Sequence, residues 1–151
     1  CRPLELMRIK SSNTSDGKDA RMKVKRSLTY FKVPRACPWV STRVKGETRE
    51  VFYCLYLSQR NGVLCFEEVS VGASTGTIVD IKGIVRTALL VGAEKLIFVH
   101  NHPSGDPEPS TQDRKITKSF VEACEVFNIE VLDHIIVGDE AFSSLKGSGD
   151  L

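Results

Sequence analysis

The sequence predicts an α/β fold with helices packed on a mixed sheet. Two short apolar runs, at residues 96–99 and 130–137, have the length and texture of strands covered on both faces. Each is preceded by a longer stretch, residues 81–93 and 111–127, in which apolar side chains recur at helical spacing. Upstream, residues 51–71 read as an aromatic and β-branched hairpin, so strands and helices alternate through this part of the chain.

Residues 9–20, IKSSNTSDGKDA, are polar and carry no apolar period, which predicts a loop or mobile segment. Residues 21–45 mix basic with isolated apolar side chains and contain Pro34 and Pro38, with Gly46 just beyond; irregular chain or one short element is expected. The texture changes at Arg49. Val51 to Leu57 forms the first arm of the hairpin and Val63 to Val71 the second, with Asn61-Gly62 as the expected turn. Residues 72–80 hold glycines and turn formers and end on Asp80, a good N-cap residue for the first helix. Ile81, Ile84, Val85, Ala88 and Leu89 make that helix's apolar face. The next strand is expected to end at His100. A loop with Pro103, Gly105, Pro107 and Pro109 follows. The second helix should then turn Ile116, Phe120, Val121, Cys124 and Phe127 inward. A buried strand at 130–137 and a last one at 141–145 complete the pattern, without internal repeats or low-complexity tracts.

With 151 residues, 41% hydrophobic and 26% charged, the chain suits one globular domain. We divide it into a basic, partly disordered arm over residues 1–48 and a folded domain over 49–151. No apolar run approaches the roughly 20 residues of a membrane-spanning helix, so no membrane association is expected. The first residues lack the order of a secretory signal, and a start at Cys1 rather than Met suggests a fragment or an engineered chain. Of the five cysteines, Cys54, Cys65 and Cys124 sit among apolar neighbours and none forms a CxxC pair. Buried thiols in a reducing compartment, hence a cytoplasmic protein without a disulfide framework, are the expectation. Charge is uneven: residues 1–50 carry 13 Lys/Arg against 5 Asp/Glu, and residues 51–151 carry 8 against 14. Such an arm suits either DNA contact or plain solvation, and Tyr30, Phe31 and Trp39 either stack on bases or pack the arm onto the domain.

The chemistry concentrates in residues 100–113, HNHPSGDPEPSTQD. His100 and His102 are two apart at a strand end, so their imidazoles can converge on one point. Asp113, in the first turn of the next helix, is kept ionised near the positive end of the helix dipole and is well placed as a third ligand. Two imidazoles and one carboxylate suit Zn2+ and leave a position for water, the pattern of a catalytic site. Three prolines and a glycine hold the intervening loop to a tight path. Ser110-x-x-Asp113 is equally a plain helix N-cap, and His-x-His alone is a weak signal; the combined spacing is far more specific.

That combination, His100-x-His102-x7-Ser110-x-x-Asp113, resembles the metal-binding motif of the JAMM (MPN+/JAB) metalloproteases. The wider segment, with LDHIIVGD from Leu132 and the glycines between Gly72 and Gly76, resembles the RadC branch of that superfamily over roughly residues 49–147. The resemblance implies a cytidine-deaminase-like three-layer α/β/α sandwich and Zn2+ ligands at His100, His102 and Asp113. It also implies an upstream glutamate as general base, at Glu50 in Arg49-Glu50-Val51-Phe52, with Glu47 as the alternative. Ser110 then either donates to the oxyanion of a tetrahedral intermediate or caps the helix. Asp133 and His134 read as structural groups or as groups orienting the site. Asn101 and Ser104 read as hydrogen bonders that shape the loop.

Two functions follow from the resemblance. The first is a zinc-dependent hydrolase of the metallopeptidase or isopeptidase type, cleaving an amide of an unknown peptide or isopeptide substrate. The second is a DNA-repair or recombination accessory protein that contacts DNA through the basic arm. Longer members of the RadC branch carry an N-terminal helix-hairpin-helix module, which residues 1–48 do not resemble. A zinc nucleotide deaminase needs Pro-Cys-x-x-Cys, which the chain lacks.

Overall fold

The computed structural model describes residues 2–3, 44, 47–71 and 79–151. In chain order these form β1 (Arg2–Pro3), β2 (Val51–Leu57), β3 (Val63–Val71), α1 (Ile81–Val91), β4 (Lys95–Asn101), α2 (Thr111–Glu125), β5 (Glu130–Val137), β6 (Phe142–Ser144) and the short helix α3 (Leu145–Ser148). The strands join in one mixed sheet of order β1-β3-β2-β4-β5-β6. β4 and β5 are parallel, connected through α2, and the other neighbours are antiparallel.

Alternate side chains of a strand face opposite ways, so all seven residues of β2 are buried only because both faces of the sheet are covered. Phe52, Cys54 and Tyr56 enter one core with Leu96 and Phe98, onto which α1 lays Ile84, Val85 and Ala88 and α2 lays Phe120 and Cys124. Val51, Tyr53, Leu55 and Leu57 enter a second core with Val44, Ile97, Val99 and Leu132. Both long helices therefore lie on one face. The second helix layer of the expected sandwich is not among the described residues.

Several expectations need correction. The hairpin closes through a wider loop than Asn61-Gly62: Asn61 N–H donates to the Ser58 carbonyl at 2.8 Å, and Asn61 takes a left-handed φ of 60°. This is a turn followed by one left-handed residue, in place of a two-residue turn. Asp80 stands at the N-cap of α1 but makes no side-chain capping bond. α1 and α2 stop two residues early, at Val91 and Glu125. Beyond Glu125 the chain unwinds through Asn128 (φ 55°), which leaves Phe127 48% exposed and off the inner face. Residues 145–148 are helical rather than the end of a strand. Cys54 and Cys124 are free buried thiols, whereas Cys65 is disulfide-bonded, contrary to the expectation of thiols throughout. The arm's Tyr30, Phe31 and Trp39 also lie outside the described residues. Among the described residues no helix is long and apolar enough to cross a membrane.

Candidate metal centre

β4 runs beneath the helices, so Leu96, Phe98 and His100 point to their side of the sheet. His100 pairs across the sheet with Phe52 and stacks on its ring, centroids 5.7 Å apart, leaving the imidazole 1% exposed. His102 stands one residue past the strand. Its N–H still donates to the Val137 carbonyl at 3.1 Å, which extends the pairing with β5 by a residue. Its ring Nδ1 lies 2.8 Å from the Asp106 carbonyl oxygen. A carbonyl only accepts, so in the neutral ring Nδ1 carries the proton and Nε2 presents its lone pair.

The loop that returns the chain to the helix is seated on the turn after β5. Asp139 N–H donates to the Gly105 carbonyl at 3.1 Å. Gly105 adopts φ 79°, a conformation that favours glycine, and a Cβ there would collide with the Asp139 carboxylate. A Cβ on Gly138 would collide with the Gly105 carbonyl oxygen. Ser104 shapes the loop as expected, its hydroxyl accepting from Asp106 N–H at 3.4 Å.

α2 begins with a complete capping box. Ser110 Oγ accepts from Asp113 N–H at 3.1 Å, and Asp113 Oδ2 accepts from Ser110 N–H at 2.7 Å. The same Oδ2 accepts the Ser110 hydroxyl at 2.6 Å, so that proton is engaged by Asp113. Capping fixes the carboxylate, and the fixed carboxylate meets both histidines. His100 Nε2 is 3.2 Å from Asp113 Oδ1, His102 Nε2 is 3.3 Å from Oδ2, and the two Nε2 atoms are 3.0 Å apart. Donors held about 2.0–2.1 Å from a tetrahedral zinc ion lie roughly 3.3 Å from one another, so this set fits such an ion with little adjustment. Among the described residues these three side chains form the group able to hold a metal.

The electrostatics agree with a cation-binding role. Burial opposes ionisation of Asp113, but the contacts from His100, His102 and Ser110 outweigh it and hold the carboxyl well below the ordinary range. His102 is raised, chiefly by its contact with Asp113 against the opposing effect of burial, with a small contribution from the charge of Glu50.

Behind His100 a second row of groups is fully buried. His100 Nδ1 lies 2.8 Å from His134 Nε2, and His134 Nδ1 lies 2.5 Å from Thr117 Oγ1. Thr117 Oγ1 also donates to the Asp113 carbonyl at 2.6 Å. Burial pushes His134 down to about 3, so it stays neutral. Asp133 faces elsewhere: its carboxylate accepts from Ser144 Oγ at 2.7 Å and from Lys146 N–H at 3.1 Å, tying α3 to β5.

Glu50 precedes β2, half-buried, with no hydrogen-bond or ion-pair partner for its carboxylate among the described residues. Glu47 sits beside Arg49, 3.9 Å between charged atoms, on the surface. Asn101 anchors the segment carrying both. Its side chain accepts from Val51 N–H at 2.8 Å and donates to the carbonyls of Arg49 at 2.9 Å and Glu47 at 3.3 Å. Sequence reasoning missed Thr117 entirely and gave Asn101 only a loop role. Thr117 was detectable one helical turn past Asp113, on the same face.

Fold and site together define an α/β domain with a three-donor candidate metal centre at the junction of a parallel strand pair and its connecting helix. A family model described as "RadC-like JAB domain" matches residues 32–150, and the chain belongs to that family. Its relatives include a "UPF0758 protein" of Desulforamulus reducens, 42% identical over 113 residues, covering 75% of this chain and 50% of that protein. One of Methanosarcina acetivorans is 42% identical over 107 residues, covering 71% of this chain and 47% of the relative. One of Desulforudis audaxviator is 48% identical over 101 residues, covering 67% and 44%. The chain thus spans about half the length of the curated relatives it matches.

Proposed function

We propose that this chain is a zinc-dependent hydrolase of the JAMM type that cleaves an amide in a peptide or isopeptide. The observation that carries the reading is the convergence of His100 Nε2, His102 Nε2 and the Asp113 carboxylate at 3.0–3.3 Å. A bound zinc ion would acidify a water molecule and polarise the carbonyl it attacks. Glu50, whose charge is felt at His102, is the carboxylate that would accept a proton from the attacking water and pass it to the leaving amine. Ser110 holds Asp113 in the resting site; turning its hydroxyl from Oδ2 supplies a donor for the developing oxyanion. The cytoplasmic location expected from free thiols rests on Cys54 and Cys124, since Cys65 is disulfide-bonded.

The test combines metal analysis with hydrolysis of fluorogenic peptide and isopeptide libraries. About one zinc per chain is expected, lost in His102→Ala. Undiminished zinc in that variant, or full hydrolysis by Glu50→Gln, overturns the reading. A second reading, DNA contact through the arm, rests on the 13 Lys/Arg within residues 1–50. It requires affinity that drops steeply as salt rises, by counterion release.

A further inference from the structure

We propose that Thr117 and His134 form a one-way hydrogen-bond relay that fixes the tautomer of His100 and so presents its Nε2 to the metal centre as an open lone pair. Both are positioning residues, and the proposal rests on the zinc reading only for what the lone pair binds.

Proton accounting gives the direction. The hydroxyl of Thr117 and the carbonyl of Asp113 are 2.6 Å apart. A carbonyl has no proton, so the hydroxyl's only proton lies between them. Back-bonding of this kind is common for threonine in helices and would alone mean little. Here it leaves Oγ1 solely an acceptor towards its other neighbour, His134 Nδ1 at 2.5 Å, so Nδ1 of His134 carries that ring's proton. Fully buried, and with no carboxylate hydrogen-bonded to its ring among the described residues, His134 carries only that one proton, so its Nε2 is bare and can only accept. Its partner at 2.8 Å, His100 Nδ1, must then be the donor, and His100 Nε2 is left without a proton. Reversing the direction would strand the Asp113 carbonyl contact without a proton.

Burial keeps water out of the relay. His134 is 0%, Thr117 1% and His100 1% exposed, so water does not compete. Both ring nitrogens of His134 are engaged, and flipping the ring would set carbons against both partners. Histidines that bind metals usually donate their second N–H to a carboxylate, a backbone carbonyl or water. Here the acceptor is a neutral imidazole, which orients His100 without adding negative charge and leaves Asp113 the one anionic donor of the three.

The experiment compares Thr117→Val, which keeps the shape and removes the hydroxyl, with Thr117→Ser, which restores it. Zinc affinity is measured by chelator competition, folding by near-UV circular dichroism, and imidazole tautomers by nitrogen NMR of metal-free protein at about pH 8.5, where free imidazole is neutral. We expect His100 as the Nδ1–H tautomer in the wild type. We expect a zinc affinity about 10- to 100-fold weaker in Thr117→Val and near wild type in Thr117→Ser. A folded Thr117→Val with wild-type affinity overturns the relay's role. His100 found as the Nε2–H tautomer in the wild type overturns its direction, even if Thr117→Val does not fold. Should the wild type bind no zinc, the zinc reading fails while the NMR result still decides the relay.

Discussion

The side-chain oxygen of Asn101 accepts the backbone N–H of Val51 at 2.8 Å, joining the end of β4 to the start of β2 beside the candidate metal ligands. The bond is buried, and two further bonds from the same amide hold the carbonyls of Glu47 and Arg49. Asn101→Ala therefore leaves a buried N–H without a partner and releases the segment that bears Glu50. Stability should fall by about 1–3 kcal/mol in urea denaturation. Zinc content should persist while hydrolysis drops; equal loss of both would separate Asn101 from Glu50.

Metal-free protein should be most stable near pH 6.5. His102 is raised above its ordinary 6.5, so its stabilisation is complete below that pH and is lost as pH climbs through the folded-state value. His134 is lowered from 6.5 to about 3, so the unfolded chain takes up a proton that the folded one refuses, and stability declines across that window as pH falls. One such proton corresponds to a slope of roughly 1.4 kcal/mol per pH unit. The depressed Asp113 adds its own loss only below its ordinary 3.8. Urea midpoints across pH 4 to 8.5 check this, and a midpoint rising steadily on acidification to about pH 4 would contradict it.

Gly138→Ala should displace the metal loop, because the new methyl collides with the Gly105 carbonyl oxygen and stands 2.9 Å from Pro107 Cδ. Overpacking of this kind costs about 1–3 kcal/mol. Since the same loop holds the Asp106 carbonyl on His102 Nδ1, zinc affinity should weaken alongside. Chelator competition and thermal unfolding on the same sample give both numbers.

Ser110→Ala removes an N-cap and one of the groups fixing Asp113. A loss of about 1 kcal/mol is expected from the cap. Ser110→Thr should recover most of it, read by thermal unfolding.

Much of this was legible in the sequence because it is local. β5 begins and ends where its apolar run does, and the hairpin arms match residue for residue. His100, His102, Ser110 and Asp113 stand within one strand-loop-helix stretch, so their spacing alone brings them together. What was not legible depends on contacts across the chain. Thr117 matters only because β5 sets His134 against it, and Asn101 because β2 pairs with β4. Phe127 fits a helical period that the chain abandons two residues earlier.

All three donors and both residues behind them belong to the single β4-α2-β5 unit, between His100 and His134. Glu50 lies outside that unit and is brought beside it by the pairing of β2 with β4. On the proposed reading, the groups that would hold the ion and the carboxylate that would handle the proton thus sit on separate segments of the chain, so a change confined to the edge of β2 would touch one task and spare the other.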